Sequence, residues 1–328
     1  MLEKELFLDF YGINFKIKGY SNIINNLGKD FQYFSSREKK SSYIVVNIIF
    51  KHPKKNILPK KKFYSRKDYS VYCKKNQLLI IYNKELLADY NYKNDVINLY
   101  SKNLDLLYEI SYLFIHSKLG ELLEIKSLNR IHAAGFTYNN EGYLFLANTG
   151  CGKSSLVLEL LKDSKFKILS DDTPILNNQL EMLSFPIRMG VGKNYFLNKQ
   201  FKTRILKRRE YGVKKLIDID NFKNKIVKKS NIKKIFLGEK SNKNKPQIKK
   251  SNIITSFKYL FVNLIIGYGT PQVLEFLIKP NIKDFFEKLQ SIMKRFHLSI
   301  KLLNSCEFYV FYTVKDFKKN KQILEKYI

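Results

Sequence analysis

The chain has 328 residues and a formal net charge of +31, from 60 Lys and Arg against 29 Asp and Glu. Hydrophobic residues make up 45% of it and aromatic residues 14%, a globular composition that excludes a disordered chain. No apolar run reaches the roughly 18 residues of a membrane span, and the N-terminus shows no secretory signal. A chain of this length is expected to form two domains.

The three cysteines are far apart and odd in number. They match neither a zinc-binding spacing nor the even-numbered framework of a secreted disulfide-rich domain. We therefore expect Cys73, Cys151 and Cys306 to be reduced thiols and the protein to be cytoplasmic.

Short strands and turns fill the first hundred residues. The segment LFLDFYGINFKIKG alternates apolar and polar residues up to Gly19, which is typical of a strand or hairpin. Further strands are predicted for SYIVVNIIF, QLLIIYN and DVINLYS. Because no catalytic cluster occurs among them, residues 1–102 are predicted to form an N-terminal accessory domain of α+β, mostly β, structure.

A different pattern begins at Asn103 and introduces the second predicted domain, residues 103–328. The segment LDLLYEISYLFIHSKLGELLE has apolar residues at helical spacing, so it forms one long helix or two short ones. Next, RIHAAGFTYNNEGYLFLANTG predicts two strands around an Asn-Asn-Glu-Gly turn. The second strand, GYLFLA, leads directly into a glycine-rich segment, and the amphipathic stretch SSLVLELLKDS follows.

The glycine-rich segment fits the Walker A pattern of phosphate-binding loops, with Ala147 in place of the first glycine. Gly150 and Gly152 allow a tight turn whose N–H groups point at phosphate oxygens, and the following helix adds the positive end of its dipole. A plain structural turn is the alternative, but the strand before it and the helix after it favour phosphate binding. The residues predicted to bind a nucleotide are Asn148, Thr149, Gly150, Cys151, Gly152, Lys153, Ser154 and Ser155.

Two adjacent carboxylates follow the next predicted strand. The strand, Phe166 to Leu169, lies within FKILSDDTPIL, and Asp171 and Asp172 come just after it. One carboxylate can hold Mg²⁺ while the other accepts a proton from an attacking hydroxyl. The alternative is an Asx turn ahead of Pro174. Beside the glycine-rich segment, the chemical role is the favoured interpretation.

Positive charge is concentrated between Lys199 and Lys250, where 19 Lys or Arg face four acids. This basic insert, about residues 199–250, is one candidate surface for an acidic partner. It can also be a set of solvated helix and loop faces, with GEKSNKNKPQIKKSN as an exposed loop. For the chain as a whole, gene composition is an equal explanation, because Lys, Asn, Ile, Tyr and Phe share AT-rich codons.

The segment RIHAAGFTYNNEGYLFLANTGCGKSSLVLELLKDSKFKILSDDTPIL resembles the catalytic core of HPr kinase/phosphorylase and its relatives. In that family a His lies shortly before the strand, Gly-x-Gly-Lys-Ser follows, and the next strand ends in Asp-Asp. The match spans roughly residues 128–190, and DFYGINFKIKGYSNI is similar to the start of related kinases found near peptide-modification enzymes. The resemblance implies an α/β P-loop kinase domain of the phosphoenolpyruvate-carboxykinase-like type. It also implies transfer from ATP–Mg²⁺ to a hydroxyl, usually a serine of a peptide or small protein.

The resemblance further implies a role for each matching residue. Lys153 and Ser154 hold phosphate and metal. Asp171 is the base that activates the acceptor, and Asp172 is a metal ligand or supports one. His132 lies beside the γ-phosphate.

One segment departs from the family pattern. The family has a Glu before an Arg-Gly segment, whereas FPIRMGVG has Arg188 after Pro186 and Ile187. Neither phosphorolysis nor HPr as the substrate is therefore expected. Arg188 stays a candidate for stabilising phosphate charge, with a surface salt bridge as the alternative.

Two other functions are compatible with the sequence. One is a nucleotide-binding regulator that hydrolyses ATP slowly and binds nucleic acid by its basic face, which strongly salt-dependent DNA retention would favour. The other is a kinase of a small molecule such as free serine. A separate N-terminal domain favours a macromolecular partner, and the family's frequent oligomers imply a homo-oligomer.

Overall fold

The computed structural model describes residues 3–38, 40–53, 57–148, 150–192, 201–208, 212–243 and 245–328. It is a mixed α/β structure with two large sheets, and its chain divides into two units. The first unit contains Met1–Leu122, Arg204–Lys215 and Pro271–Phe285. The second contains Leu123–Thr203, Leu216–Thr270 and Phe286–Ile328.

The secondary structure consists of strands and helices in mixed order. The strands are β1 (Glu3–Phe10), β2 (Ile13–Tyr20), β3 (Ile44–Phe50), β4 (Tyr64–Ser65), β5 (Tyr69–Lys74), β6 (Gln77–Tyr82), β7 (Leu86–Asn91), β8 (Val96–Ser101), β9 (Asn129–Arg130), β10 (Ala134–Tyr138), β11 (Glu141–Ala147), β12 (Phe166–Ser170), β13 (Ile175–Leu176), β14 (Glu181–Leu183), β15 (Met189–Gly192), β16 (Thr203–Arg208), β17 (Gly212–Ile217), β18 (Lys229–Lys240), β19 (Gln247–Lys250) and β20 (Glu307–Thr313). The α-helices are α1 (Ser21–Asp30), α2 (Leu104–Ile125), α3 (Lys153–Leu160), α4 (Ile253–Leu260), α5 (Leu274–Leu277), α6 (Ile282–Ser305) and α7 (Phe317–Leu324). Short 3-10 helices cover Gln32–Phe34 and Ile219–Lys225, and a π-helical turn covers Phe261–Ile265.

The first unit is built on an eight-stranded sheet of order β1-β2-β3-β8-β7-β6-β5-β4. Strands β1 and β2 form the predicted hairpin, and the strands predicted at β3, β6 and β8 are confirmed. Buried and half-buried residues alternate along β2, because successive side chains of a strand point to opposite faces. The helical pattern after Asn103 gives one long helix, α2.

Buried and half-buried ion pairs join distant parts of the chain within the first unit. Asp30 is completely buried, and its Oδ1 lies 2.7 Å from Nη2 of Arg204. Lys279 pairs with Glu121 on α2. Burial raises the pKa of Glu121, but the ammonium groups of Lys118 and Lys279 lower it further, so it stays below its ordinary value. The first unit therefore depends on residues that lie well beyond its N-terminal segment.

The second unit is built on a nine-stranded sheet. Its main path is β12-β10-β11-β18-β14-β13-β9, and β20 pairs with the second half of β18 and with β19. Strands β11, β18 and β20 are parallel neighbours. Strand β10 is antiparallel to both β11 and β12, so β12 runs in the same direction as β11. Four strands of this sheet therefore end at one edge.

Both faces of this sheet are apolar, as expected for a sheet with helices on either side. Along β11, Tyr143, Phe145 and Ala147 face one core, to which α3 and the end of α7 also contribute. Leu144 and Leu146 face the other core, with residues of α4, the π-helical turn and α6. The near-continuous apolar run of β11 thus reflects burial on both sides.

The sequence-based interpretation of GEKSNKNKPQIKKSN as a loop was wrong in part. Its start completes β18, and Gln247–Lys250 forms β19, which pairs with β20. Within β19, Ile248 is buried while the flanking residues are exposed, a pattern that fits lysine-rich strands at sheet edges. In the described part of the chain, no helix is both long and apolar enough to span a membrane.

Candidate active site

The edge at which the parallel strands end carries most of the predicted site residues. Ala147 at the end of β11 pairs with Gly238 of β18. Across β10, Gly135 pairs with Ser170, the last residue of β12. The glycine-rich loop (residues 147–153) and the Asp171–Asp172 pair therefore leave the sheet at the same edge.

The glycine-rich loop turns through two left-handed residues. Gly150 has φ of 86° and Gly152 has φ of 83°, values that residues other than glycine rarely adopt. The N–H of Cys151 donates to the carbonyl of Asn148 at 3.1 Å, and α3 begins at Lys153. The predicted strand–loop–helix context is confirmed, while Thr149 lies outside the described residues.

Lys153 is buried at the start of α3, with 7% of its surface exposed. Its Nζ lies 2.6 Å from the carbonyl oxygen of Ala147 and 3.0 Å from Nε2 of His132. In the contact with Nε2 the ammonium group of Lys153 is the donor, since it carries protons and no acceptor. The ammonium group is thus held above the glycine-rich loop, where a phosphate would add a stronger partner.

Ser154 and Asp171 form a second pair at this edge. The Ser154 hydroxyl donates to Oδ2 of Asp171 at 2.9 Å, and Asp171 is 3% exposed. Hydroxyl and carboxylate oxygens are ligands of Mg²⁺, which usually takes one or two protein groups and completes its shell with phosphate and water. The described residues contain no group of three or more His, Cys, Asp or Glu side chains that could hold a metal ion.

Nε2 of His132 lies close to both Lys153 and Asp172. It lies 3.5 Å from Oδ1 of Asp172, whose side chain is 39% exposed, whereas His132 itself is 3% exposed. The backbone N–H of the neighbouring Ala133 donates to the carbonyl of Asp172 at 3.0 Å. The segment around His132 therefore holds the second aspartate through its backbone.

Two residues that the sequence did not single out for the site fix His132 from the other side. The N–H of His132 donates to the carbonyl of Asn263, in the π-helical turn, at 3.0 Å. A Cβ on Gly269 would lie 2.2 Å from Cε1 of the imidazole, so only glycine fits there. The lone Asn in the apolar run YLFVNLII and the two glycines of GYGT were the available signals.

Glu239 lies near the end of β18, and Tyr259 lies on α4. The Tyr259 hydroxyl lies 3.2 Å from Oε1 of Glu239 and 3.3 Å from the carbonyl of Gly238. Burial raises the pKa of Tyr259, and the negative charge of Glu239 adds to this. The hydroxyl therefore stays protonated and able to donate.

The other predicted site residues occupy less central places. Asn148 and Gly150 are exposed, whereas Cys151, Gly152 and Ser155 are half-buried. Arg188 is half-buried directly before β15, and its part in phosphate binding stays a prediction.

Comparison with known proteins gives little guidance. No family model matches the chain, and no curated protein matches it. Among solved structures, an HPr(Ser) kinase/phosphatase from Coxiella burnetii is 16% identical and matches 38% of this chain and 78% of its own, with a TM-score of 0.23. A likeness at that TM-score establishes neither a shared fold nor a family.

Proposed function

We propose that the chain is an ATP- and Mg²⁺-dependent kinase that phosphorylates a hydroxyl, that of a serine in a peptide or small protein. The observation that carries the proposal is the 2.9 Å contact between Ser154 and Asp171 directly behind the two left-handed glycines. In this proposal the hydroxyl and the carboxylate together bind Mg²⁺ against phosphate oxygens. The matching fold proposal is a P-loop kinase domain of the phosphoenolpyruvate-carboxykinase-like type.

Each group at the edge has a role in this proposal. When bound, ATP–Mg²⁺ supplies the γ-phosphoryl group and the charge that bridges its oxygens. The N–H groups of the glycine-rich loop and the first turn of α3 bind phosphate oxygens. Lys153 places its ammonium against them, and His132 positions Lys153 through the 3.0 Å contact. Catalysis is then mainly positioning and charge stabilisation.

The geometry favours roles for the two aspartates that are the reverse of those implied by the resemblance. Asp171 is buried and bonded to Ser154, so we assign it to the metal. Asp172 has a 39% exposed side chain beside His132, so an acceptor can reach it from solvent. We therefore assign to Asp172 the removal of the acceptor proton.

The experiment that tests the function follows γ-labelled ATP with Mg²⁺ and a panel of serine peptides, including those encoded beside its gene. We expect labelled peptide with the wild type and a loss of at least about 100-fold in Lys153→Ala, since groups that stabilise transition-state charge contribute that much. Asp171→Asn should raise the Mg²⁺ concentration needed for half the maximal rate. Asp172→Asn should lower kcat at an unchanged Mg²⁺ requirement. Asp105→Asn, an exposed site on α2, is the control.

Alkylation of the cysteines measures nucleotide binding separately. ATP with Mg²⁺ should slow labelling of Cys151 by at least about fivefold, because the bound phosphates cover the loop. Burial raises the pKa of Cys306 to about 11, so only about 0.1% of it is thiolate at pH 8. Its labelling should rise about tenfold per pH unit below that pKa and should not respond to ATP.

Three outcomes would contradict the proposal. Transfer that survives in Lys153→Ala would remove the glycine-rich loop from the reaction. Protection of Cys151 without label on any peptide, free serine or protein would indicate a nucleotide-binding regulator. No protection at all would make the loop a structural turn.

A further inference from the structure

Lysines from two separate segments meet at the edge that carries the glycine-rich loop. One segment runs from the last residue of β18 into the turn before β19, and the other runs from the end of β20 into α7. The exposed lysines of these segments form what we call the basic rim: Lys240, Lys243, Lys245, Lys315, Lys318 and Lys319.

Helix α7 places the lysines of its segment next to the glycine-rich loop. The ring of Phe317 packs on Gly152, since a Cβ there would lie 2.8 Å from it. At the other end of the helix, Lys321 lies 3.2 Å from Asp163, which follows α3. The two helices thus run side by side in the same direction, and α7 begins beside the start of α3. Lys318 therefore lies one residue from a direct contact with the glycine-rich loop.

The β18–β19 turn places the other rim lysines next to the end of β20. The N–H of Ser241 donates to the carbonyl of Thr313 at 2.8 Å, two residues before Lys315. The Ser241 hydroxyl accepts from the N–H of Lys243 at 3.1 Å and lies 2.8 Å from its carbonyl. The turn is therefore closed on itself and anchored to the end of β20, so both halves of the rim are adjacent.

The rim is strongly positive. Within its two segments, residues 240–245 and 313–319, Asp316 is the one carboxylate in the sequence. Its side chain caps α7 by accepting from the N–H groups of Lys318 and Lys319, and it lies 3.9 Å from Nζ of Lys319. Glu239, just before the rim, is engaged by the Tyr259 hydroxyl. Six exposed ammonium groups thus face one carboxylate beside a loop suited to phosphate.

We infer that the basic rim binds acidic residues that flank the acceptor hydroxyl of a peptide or protein substrate, an inference that rests on the proposed kinase function. A ligand held there has its neighbouring residues at the glycine-rich loop, where a phosphoryl group would be transferred. Dispersed ammonium groups on flexible stems suit carboxylates spread along an extended peptide. Only Lys240, Lys243 and Lys245 belong to the basic insert predicted from the sequence.

An acidic peptide fits the rim better than a nucleic acid does. Proteins that bind single strands combine basic residues with exposed aromatic rings on which bases stack. No large apolar or aromatic side chain is exposed in the described residues of the two rim segments. Phe317, the aromatic residue between the rim lysines, packs on Gly152.

The test measures binding of a labelled peptide to the full chain, which needs no phosphoryl transfer. The probes are a fluorescein-labelled peptide with one serine among glutamates and its counterpart with glutamines. Lys243→Glu/Lys318→Glu reverses two rim charges. Lys165→Glu/Lys228→Glu makes the same charge change at exposed sites that precede β12 and β18, at the opposite edge. Lys243→Ala/Lys318→Ala repeats the rim test without new acids.

We expect the wild type and the opposite-edge variant to bind the glutamate peptide at least about tenfold more tightly than the glutamine peptide. The rim variants should lose at least about tenfold in affinity for the glutamate peptide, and ATP protection of Cys151 should stay within about twofold. Equal losses in both charge-reversal variants would overturn the inference, because binding would then follow net charge alone. Weakened ATP protection in the rim variants would also overturn it, by assigning the lysines to the nucleotide.

A single-stranded oligonucleotide of the same charge completes the test. If the oligonucleotide binds more tightly than the glutamate peptide and its binding is lost in the rim variants, the rim is a nucleic-acid surface and the inference is wrong. If the rim binds the glutamate peptide but no variant or wild type transfers label, the kinase proposal fails while the binding surface stands.

Discussion

Gly269 packs against the imidazole of His132 in the candidate site, with no room for an added Cβ atom. Its φ is 89°, and a Cβ there would fall within 2.2–2.9 Å of three atoms of the His132 imidazole. The ring cannot yield without losing its 3.0 Å contact with Lys153. The glycine therefore affects the position of Lys153 through the imidazole, although the two residues are far apart in sequence and the Ala147 carbonyl also holds the lysine.

Gly269→Ala should lower both stability and phosphoryl transfer. The left-handed backbone alone costs about 1–2 kcal/mol for alanine, and forced overpacking adds about 1–3 kcal/mol. Gly212→Ala is the matched control, because Gly212 has φ of 66° and, among the described residues other than its own chain neighbours, no atom lies within 4 Å of the place that an alanine methyl group would take. Urea titration should show the larger loss at Gly269, and transfer should fall only there. Equal effects would mean that the imidazole moves freely.

At the residue scale, the sequence predicted what is encoded locally. Lys153, Ser154 and the aspartates follow from a strand–loop–helix pattern and the next strand end, both within about 25 residues. The family resemblance predicted His132 beside the γ-phosphate, and its 3.0 Å contact with Lys153 was not predicted. Asn263 and Gly269 were missed because their importance lies in contact with a residue more than a hundred positions away, which no local pattern records.

At the element scale, α7 depends on the residue just before its first turn. Asp316 accepts hydrogen bonds from the N–H groups of Lys318 and Lys319 at 3.1 Å and 3.2 Å. Asp316→Ala should lower the free energy of unfolding by about 1 kcal/mol, whereas Asp316→Asn should preserve it, because Asn caps a helix as well as Asp does. Hydrogen exchange at these two amides should quicken in the alanine variant and stay slow in the other. Equal exchange in both would contradict the cap.

Strands were predictable where the hydrophobic pattern is strong. They were not predictable where lysines take most positions of a short strand. The hairpin β1–β2 and the strands β3, β6, β8, β11 and β12 were all expected from period-two or β-branched runs. Strand β19, QIKK, carries one buried apolar residue, Ile248, so its composition resembles a loop. Its pairing with β20 comes from the far end of the chain and cannot be read from four residues.

At the scale of the whole molecule, the first unit is not an N-terminal fragment. Asp30 and Glu121 receive their partners Arg204 and Lys279 from segments after residue 200. Removing one partner of a buried pair costs about 3–5 kcal/mol. A fragment of residues 1–122 should therefore lack a cooperative urea transition that the full chain shows. A cooperative transition in the fragment would show that these pairs are dispensable.

The order in which the segments leave the ribosome follows from the same division. The first unit receives its last segment, Pro271–Phe285, long after Leu122 has been synthesised. At about 5–20 residues per second, the nascent chain waits roughly 8–30 s between these points, and for part or all of that time Asp30 lacks Arg204 and Glu121 lacks Lys279. The strand-rich residues 1–122 therefore wait for two ion-pair partners that are synthesised much later in the chain.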